Sequence, residues 1–124
     1  MKIYIAHSRS FDFHAELYRP LRESDLNNEH SIILPHEHSD EAFPSQKYLQ
    51  EEADLLIAEV SEASTGLGIE LGWANIYQVP IICIYKTGSA ISGSLNTVSS
   101  HFVEYTDSEE LISGIEHIIK QLQK

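Results

Sequence analysis

One stretch stands out for chemistry: Ser64-Thr65-Gly66-Leu67-Gly68-Ile69-Glu70-Leu71-Gly72, which follows the apolar run Asp54 to Val60. A strand that enters a loop ending in Gly66 and Gly68, with a helix starting there, leaves backbone amides free to bind an anion or a ligand hydroxyl. The glycines let a ligand approach closely. Glu70 is read as lying in the first turn of that helix, where the positive end of the dipole favours a carboxylate and keeps it ionised. Its plain role is an ordinary helix-start acid. Its chemical role is a nucleophile toward an anomeric carbon, whose oxocarbenium-like transition state an anion stabilises before bonding to it.

Other constellations are weaker. The glycines form neither the full dinucleotide fingerprint nor a P-loop ending in Gly-Lys-Ser/Thr, which disfavours dinucleotide binding. His36-Glu37-His38, followed by Asp40 and Glu41, supplies two histidines in a short loop, but no distant Cys or His pair completes a metal set. Ser92-Gly93-Ser94 lacks the leading glycine and preceding strand of a serine-hydrolase elbow. No metal and no cofactor is expected.

The elements that position these residues follow from periodicity. Lys2 to Ala6 reads as a strand and Phe11 to Glu23 as a helix (Phe13, Leu17, Leu21), with Pro20 a kink or terminus. Ser31 to Pro35 is a strand, His36 to Phe43 a polar turn, and Ser45 to Ala53 a helix. A strand over Asp54 to Val60 and a helix over Leu67 to Gln78 follow. Pro80 to Tyr85 suits a strand buried on both faces. His101 to Tyr105 is the last strand and Asp107 to Lys124 the last helix, capped by Asp107 or Ser108. Thr87 to Ser100, rich in hydroxyls, is a connecting loop or short helix that could contact a ligand. The expectation is a single α/β domain over 1–124: a flavodoxin-like (Rossmann-like) five-stranded parallel sheet with helices on both faces, binding its ligand at the carboxyl ends of the strands.

Composition bounds the partners. Of 124 residues, 8 are Lys or Arg and 19 Asp or Glu, a formal net charge of −11. Nucleic-acid strands are poor partners for such a chain, because clustered cations are missing. The single cysteine, Cys83, lies in an apolar run, so no internal disulfide forms and a reducing compartment fits. No apolar stretch approaches a membrane span, and Met1-Lys2-Ile3 leads directly into a strand rather than a signal region. No membrane partner and a cytoplasmic location are expected.

Glu59-Val60, Ser64 and the run from Gly66 to Gly72 resemble the nucleoside 2-deoxyribosyltransferase superfamily, most closely its 2′-deoxynucleoside 5′-phosphate N-hydrolase branch. The likeness continues, more weakly, from Tyr4 through Glu37-His38 and Ala53-Asp54 to Ser94. The resemblance implies that Glu70 attacks C1′ of the sugar and displaces the base, leaving a glycosyl-enzyme for water or a second base to resolve. Tyr4 would orient Glu70. Ser64, where the transferases carry an aspartate, favours a 5′-phosphate, since a hydroxyl can donate to an anion that an aspartate would repel. Ser8 and Arg9, in the first strand-to-helix loop, and the amides at Gly66 and Gly68 would hold the same group. Ser94 would reach a neighbouring subunit's site, which implies a homodimer, and His38 would lie beside the base.

One position departs from the pattern. Where the family has an aspartate that assists the leaving base, counting back from Asp54 gives Gln46, and glutamine cannot deliver a proton. Asp40, Glu41, His38 or Glu51 would have to take over. The expected function is therefore cleavage of the N-glycosidic bond of a nucleoside 5′-monophosphate, preferentially 2′-deoxy. Base exchange and a catalytically weak nucleotide sensor are the alternatives.

Overall fold

The computed structural model describes residues 1–124. Five parallel strands, β1 (Lys2–His7), β2 (Ser31–Ile33), β3 (Leu55–Glu59), β4 (Ile81–Lys86) and β5 (His101–Tyr105), form one sheet in the order β2-β1-β3-β4-β5. Strand order reverses between β1 and β3, whose register pairs Ile3 with Leu55 and His7 with Glu59. Such a reversal opens a crevice beyond the strands' carboxyl ends.

Side-chain alternation divides the core into two layers. Ile3, Ile5, Leu55, Ile57, Ile82 and Ile84 face one way, against Leu17, Leu21 and Leu26 and against Leu111, Ile115, Ile118 and Ile119 of α5 (Ser108–Leu122). Tyr4, Ala6, Leu56, Ala58 and Cys83 face the other way, against Leu49 of α3 (Ser45–Glu51) and Leu67, Leu71 and Ala74 of α4 (Thr65–Ile76). Each buried Leu or Ile contributes about 1.5–3 kcal/mol. The expected sheet, covered on both faces, is the observed one. Across it, Asp54 Oδ2 accepts the Lys2 N–H at 2.7 Å, tying the start of β3 to β1.

Several boundaries differ from those expected. The helix read over Phe11 to Glu23 is a π-helical turn, His14–Tyr18, followed by α1 (Arg19–Arg22) and then α2 (Leu26–Glu29). Pro20 is the second residue of α1, directly after the π turn. The edge strand β2 ends at Ile33, two residues before Pro35, which has no N–H for a ladder. Within Thr87 to Ser100 there is a 3₁₀ turn over Gly93–Thr97. Asp107 caps α5, its Oδ1 accepting the Glu110 N–H at 2.8 Å. No helix is long and apolar enough to cross a membrane.

Candidate active site

The start of α4 is set by Ser64, whose extended backbone lets its Oγ accept the Leu67 N–H at 3.2 Å. This is a serine cap, and it leaves the hydroxyl hydrogen free to donate. It also corrects the reading of Glu70: with the helix beginning at Thr65, Glu70 is its sixth residue and lies in the second turn. The dipole fades within the first turn, so other forces set this carboxyl's charge. A Cβ built on Gly66, Gly68 or Gly72 would meet nothing within 4 Å. No packing requires these glycines; their smallness keeps the surface of α4 open.

Strand parity carries Tyr4 to Glu70. Tyr4 projects from β1 onto the layer shared with α4, and its O–H donates to Glu70 Oε2 at 2.5 Å. Its ring is almost fully buried beside Phe43 and Tyr48, with centroids 5.7 and 6.0 Å away. Burial and then the Glu70 charge push the Tyr4 pKa far up, so the phenol stays a neutral donor. Glu70 itself is held above the usual carboxylate range. Burial is the largest cause, opposed by the Tyr4 and Ser45 hydroxyls and by His36. The helix start therefore does not keep Glu70 ionised as expected; desolvation makes it a more basic, more nucleophilic carboxylate.

A second wall is built from rings. The His7 ring lies 4.5 Å from Phe13 and 5.8 Å from His36. His7 Nδ1 lies 2.7 Å from the Ser8 carbonyl, which can only accept, so Nδ1 carries the proton. Nε2, 2.6 Å from the Tyr18 hydroxyl, then accepts from Tyr18, which in turn accepts the His36 N–H at 3.1 Å. Burial lowers the His7 pKa to about 4, consistent with a neutral ring. Both His7 nitrogens are occupied, whereas His36 Nδ1 is buried without a partner.

These groups surround a cleft of about 680 Å³ lined by Tyr4, Arg9, His36, Ser45, Ser64 and Glu70, with Phe43, Ile69 and Trp73 as apolar surfaces. Gly66 lies on this cleft. Gly68 and Ser94 instead line an adjoining groove of about 350 Å³ between α4 and the 3₁₀ turn, which meets the cleft at Ser64 and Leu67. Within one chain, Ser94 is thus not brought to Glu70.

Three further expected residues are placed differently. Ser8 is buried away from the cleft lining: its Oγ accepts the Ser10 N–H at 3.0 Å and lies 2.6 Å from Ser10 Oγ. Because the Ser10 hydroxyl donates to Glu62, Ser8 donates to Ser10, and its hydrogen is committed within the loop. His38 is exposed and lies 3.5 Å from Glu37, outside the cleft; His36 occupies the wall instead. Glu37 turns toward Arg22, which donates to both its oxygens at 2.9 and 2.8 Å. Gln46 points outward and donates to the Tyr77 hydroxyl at 3.1 Å, while its neighbour Ser45 faces Glu70. Of the suggested substitutes for the missing acid, Asp40 alone lines the cleft.

Ser45 and the ring of His36 are the site residues that spacing did not identify. Their signal was faint: a serine opening a helix, and a histidine considered only as a metal ligand. Glu59, buried at the end of β3, accepts the Ser61 N–H at 2.6 Å and the Tyr105 hydroxyl. It fastens the loop leading to Ser64 and does not reach the cleft.

No family model matches the chain. Three curated relatives, all provisionally named 2′-deoxynucleoside 5′-phosphate N-hydrolase 1, share its sequence in part. The protein from Syntrophotalea carbinolica is 47% identical over 38 residues, 31% of this chain and 27% of its own length. Those from Methanosarcina barkeri and Methanosarcina mazei are 32% identical over 73 residues and 34% over 77, or 56% and 60% of this chain. The match spans 46% and 48% of those two proteins, so in every case it covers less than half of the relative. Among solved structures, the CMP N-glycosidase BcmB of Clostridium botulinum superposes with a TM-score of 0.64 over 94% of this chain and 99% of that one. At 19% identity, that likeness concerns the fold. Over the matched segments the chain is thus similar to proteins named as 2′-deoxynucleoside 5′-phosphate N-hydrolases, and along nearly its whole length it shares the fold of a CMP N-glycosidase.

Proposed function

We propose that this protein is an N-glycosidase that hydrolyses a 2′-deoxynucleoside 5′-monophosphate through a glycosyl-enzyme on Glu70. The observation that carries the reading is the Tyr4–Glu70 hydrogen bond of 2.5 Å on the wall of an open cleft at the sheet's reversal point. A carboxylate fixed by a neutral phenol is aimed without losing its charge. Its free oxygen attacks C1′, the C1′–N bond breaks, and the bonding pair leaves with the base. Water then attacks C1′ and gives up a proton to the group that protonated the base, the sugar–Glu70 bond breaks, and the carboxylate is restored.

The departing base needs a proton. Gln46 faces away and cannot supply one, and both nitrogens of His7 are engaged. His36 lines the cleft, and its buried Nδ1 has no hydrogen-bond partner. It takes the role expected of an acid at position 46, with Phe43 and Trp73 offering apolar surface to the base. This arrangement favours hydrolysis over a mere sensor and gives Gln46→Asp no route to the cleft.

A 5′-phosphate is favoured by the free hydrogen of Ser64, the uncapped amides of Thr65 and Gly66, and Arg9. α4 leaves Ile69, on the cleft wall, and Ile76, near its end, exposed at 47% and 74%. Pairing of two chains there would bury this surface and carry Ser94 toward a partner's cleft, as expected of a cytoplasmic homodimer. Free base should appear when a panel of nucleoside monophosphates is incubated with the protein, and should fall by roughly three orders of magnitude in Glu70→Ala. Release unchanged in that variant would refute the assignment.

A further inference from the structure

Arg9 is the only Lys or Arg on the cleft wall, and it is already taken: its Nη2 lies 3.1 Å from Asp40 Oδ1 and its Nη1 donates to the Asp40 carbonyl at 3.4 Å. Arg9 stands in the loop after β1 and Asp40 in the loop after β2, so the contact joins the two loops at the exposed edge of the cleft. The Asp40 carboxylate offers the guanidinium what a phosphate offers, an anionic oxygen in the same place. The Asp40 side chain is 87% exposed, which makes the pair weak and open to exchange.

We propose that Asp40 is a displaceable stand-in for the substrate's 5′-phosphate, holding Arg9 across the cleft mouth and so setting how strongly the site distinguishes nucleotide from nucleoside. This rests on the nucleotide reading given above. In a chain of net charge −11, an unpaired Arg9 would attract any small anion; paired with Asp40, it yields only to an anion that outcompetes a carboxylate. A dianionic phosphate that also meets the Ser64 hydroxyl and the α4 amides does so, whereas a single carboxylate or chloride gains less. A nucleoside has nothing to exchange for Asp40 and leaves the pair closed.

The test is a double-mutant cycle read by calorimetry, titrating the four 2′-deoxynucleoside 5′-monophosphates and their parent nucleosides into wild type, Asp40→Asn, Arg9→Gln and the double variant. Asp40→Asn should tighten monophosphate binding by about two- to fivefold, the amount an exposed ion pair is worth, and leave nucleoside binding unchanged. In the Arg9→Gln background the same change should add nothing. Three results overturn the proposal: no gain in Asp40→Asn, an equal gain for nucleosides, or a gain that persists without Arg9, which would make Asp40 a simple repulsive charge. Base release by the wild-type protein, followed in parallel, reports on the underlying reading. Release with no Asp40 effect refutes the stand-in alone; an Asp40 effect without release refutes hydrolysis alone; and absence of both release and monophosphate binding refutes both.

Discussion

Replacing Tyr4 by Phe removes one oxygen and little else, because the ring keeps its place between Phe43 and Tyr48. What is lost is the 2.5 Å hydrogen bond to Glu70 Oε2, made in a buried setting to a group that the proposed mechanism requires to be charged. Hydrogen bonds to charged groups contribute about 1.5–3 kcal/mol. At 1.36 kcal/mol per decade this predicts a fall in kcat/KM of about 10- to 100-fold. A pH profile separates aim from charge. Tyr4 is the largest of the influences that lower the pKa of Glu70 against burial, so its removal raises that pKa further. Because the proposed nucleophile would act deprotonated, the acidic limb of the rate profile should move to higher pH. Part of the loss should be recovered on the alkaline side, the remainder measuring orientation. Stability follows the same sign: a carboxyl whose folded pKa is raised adds stability that is complete below its unfolded pKa and is lost as pH rises through the folded value. Tyr4→Phe should therefore steepen the decline of Tm with rising pH. An acidic limb that stays in place or moves down, or a rate loss below twofold, would refute the reasoning.

Ser64→Ala removes the α4 cap, which should cost about 1 kcal/mol and lower Tm by about 4 °C in calorimetry, while raising KM for monophosphates and leaving that for nucleosides unchanged. Gly114→Ala would place a Cβ 2.4 Å from Val103 Cγ1, and Val103 is a stiff β-branched residue held in β5. Overpacking of about 1–3 kcal/mol should outweigh a helix-propensity gain of about 1 kcal/mol, so Tm should fall; an unchanged Tm would count against this packing. Cys83, buried with its thiol pushed up to about 11 by burial, should resist alkylation until the chain is unfolded.

The sheet was legible because apolar runs alternate with helical spacing, and parity within Lys2 to Ala6 already assigns Ile3 and Ile5 to one layer and Tyr4 and Ala6 to the other. Boundaries were less so where one residue outweighs the pattern. The apolar spacing of α4 starts at Leu67, yet the helix starts at Thr65 because Ser64 supplies the cap and the two intervening positions need no apolar contact. Around Pro20, the helical spacing of Phe13, Leu17 and Leu21 is kept, but the backbone passes through a wide π turn ahead of a residue that cannot complete an ordinary ladder.

The site divides along the same line. Tyr4 and Glu70 sit on regular elements, where counting residues fixes direction, and their pairing could be anticipated. His36 and Ser45 flank an irregular connection, where counting fixes nothing until the helix begins. At the start of α3 a slip of one residue turns a side chain by about 100°, and that rotation separates Ser45, facing Glu70, from Gln46, facing Tyr77. A substitution that looks like the loss of a catalytic acid is thus a residue pointing elsewhere. Whether this cleft can protonate a leaving base depends on the groups that line it, and of these His36 keeps its Nδ1 buried without a partner while Asp40 is held by Arg9.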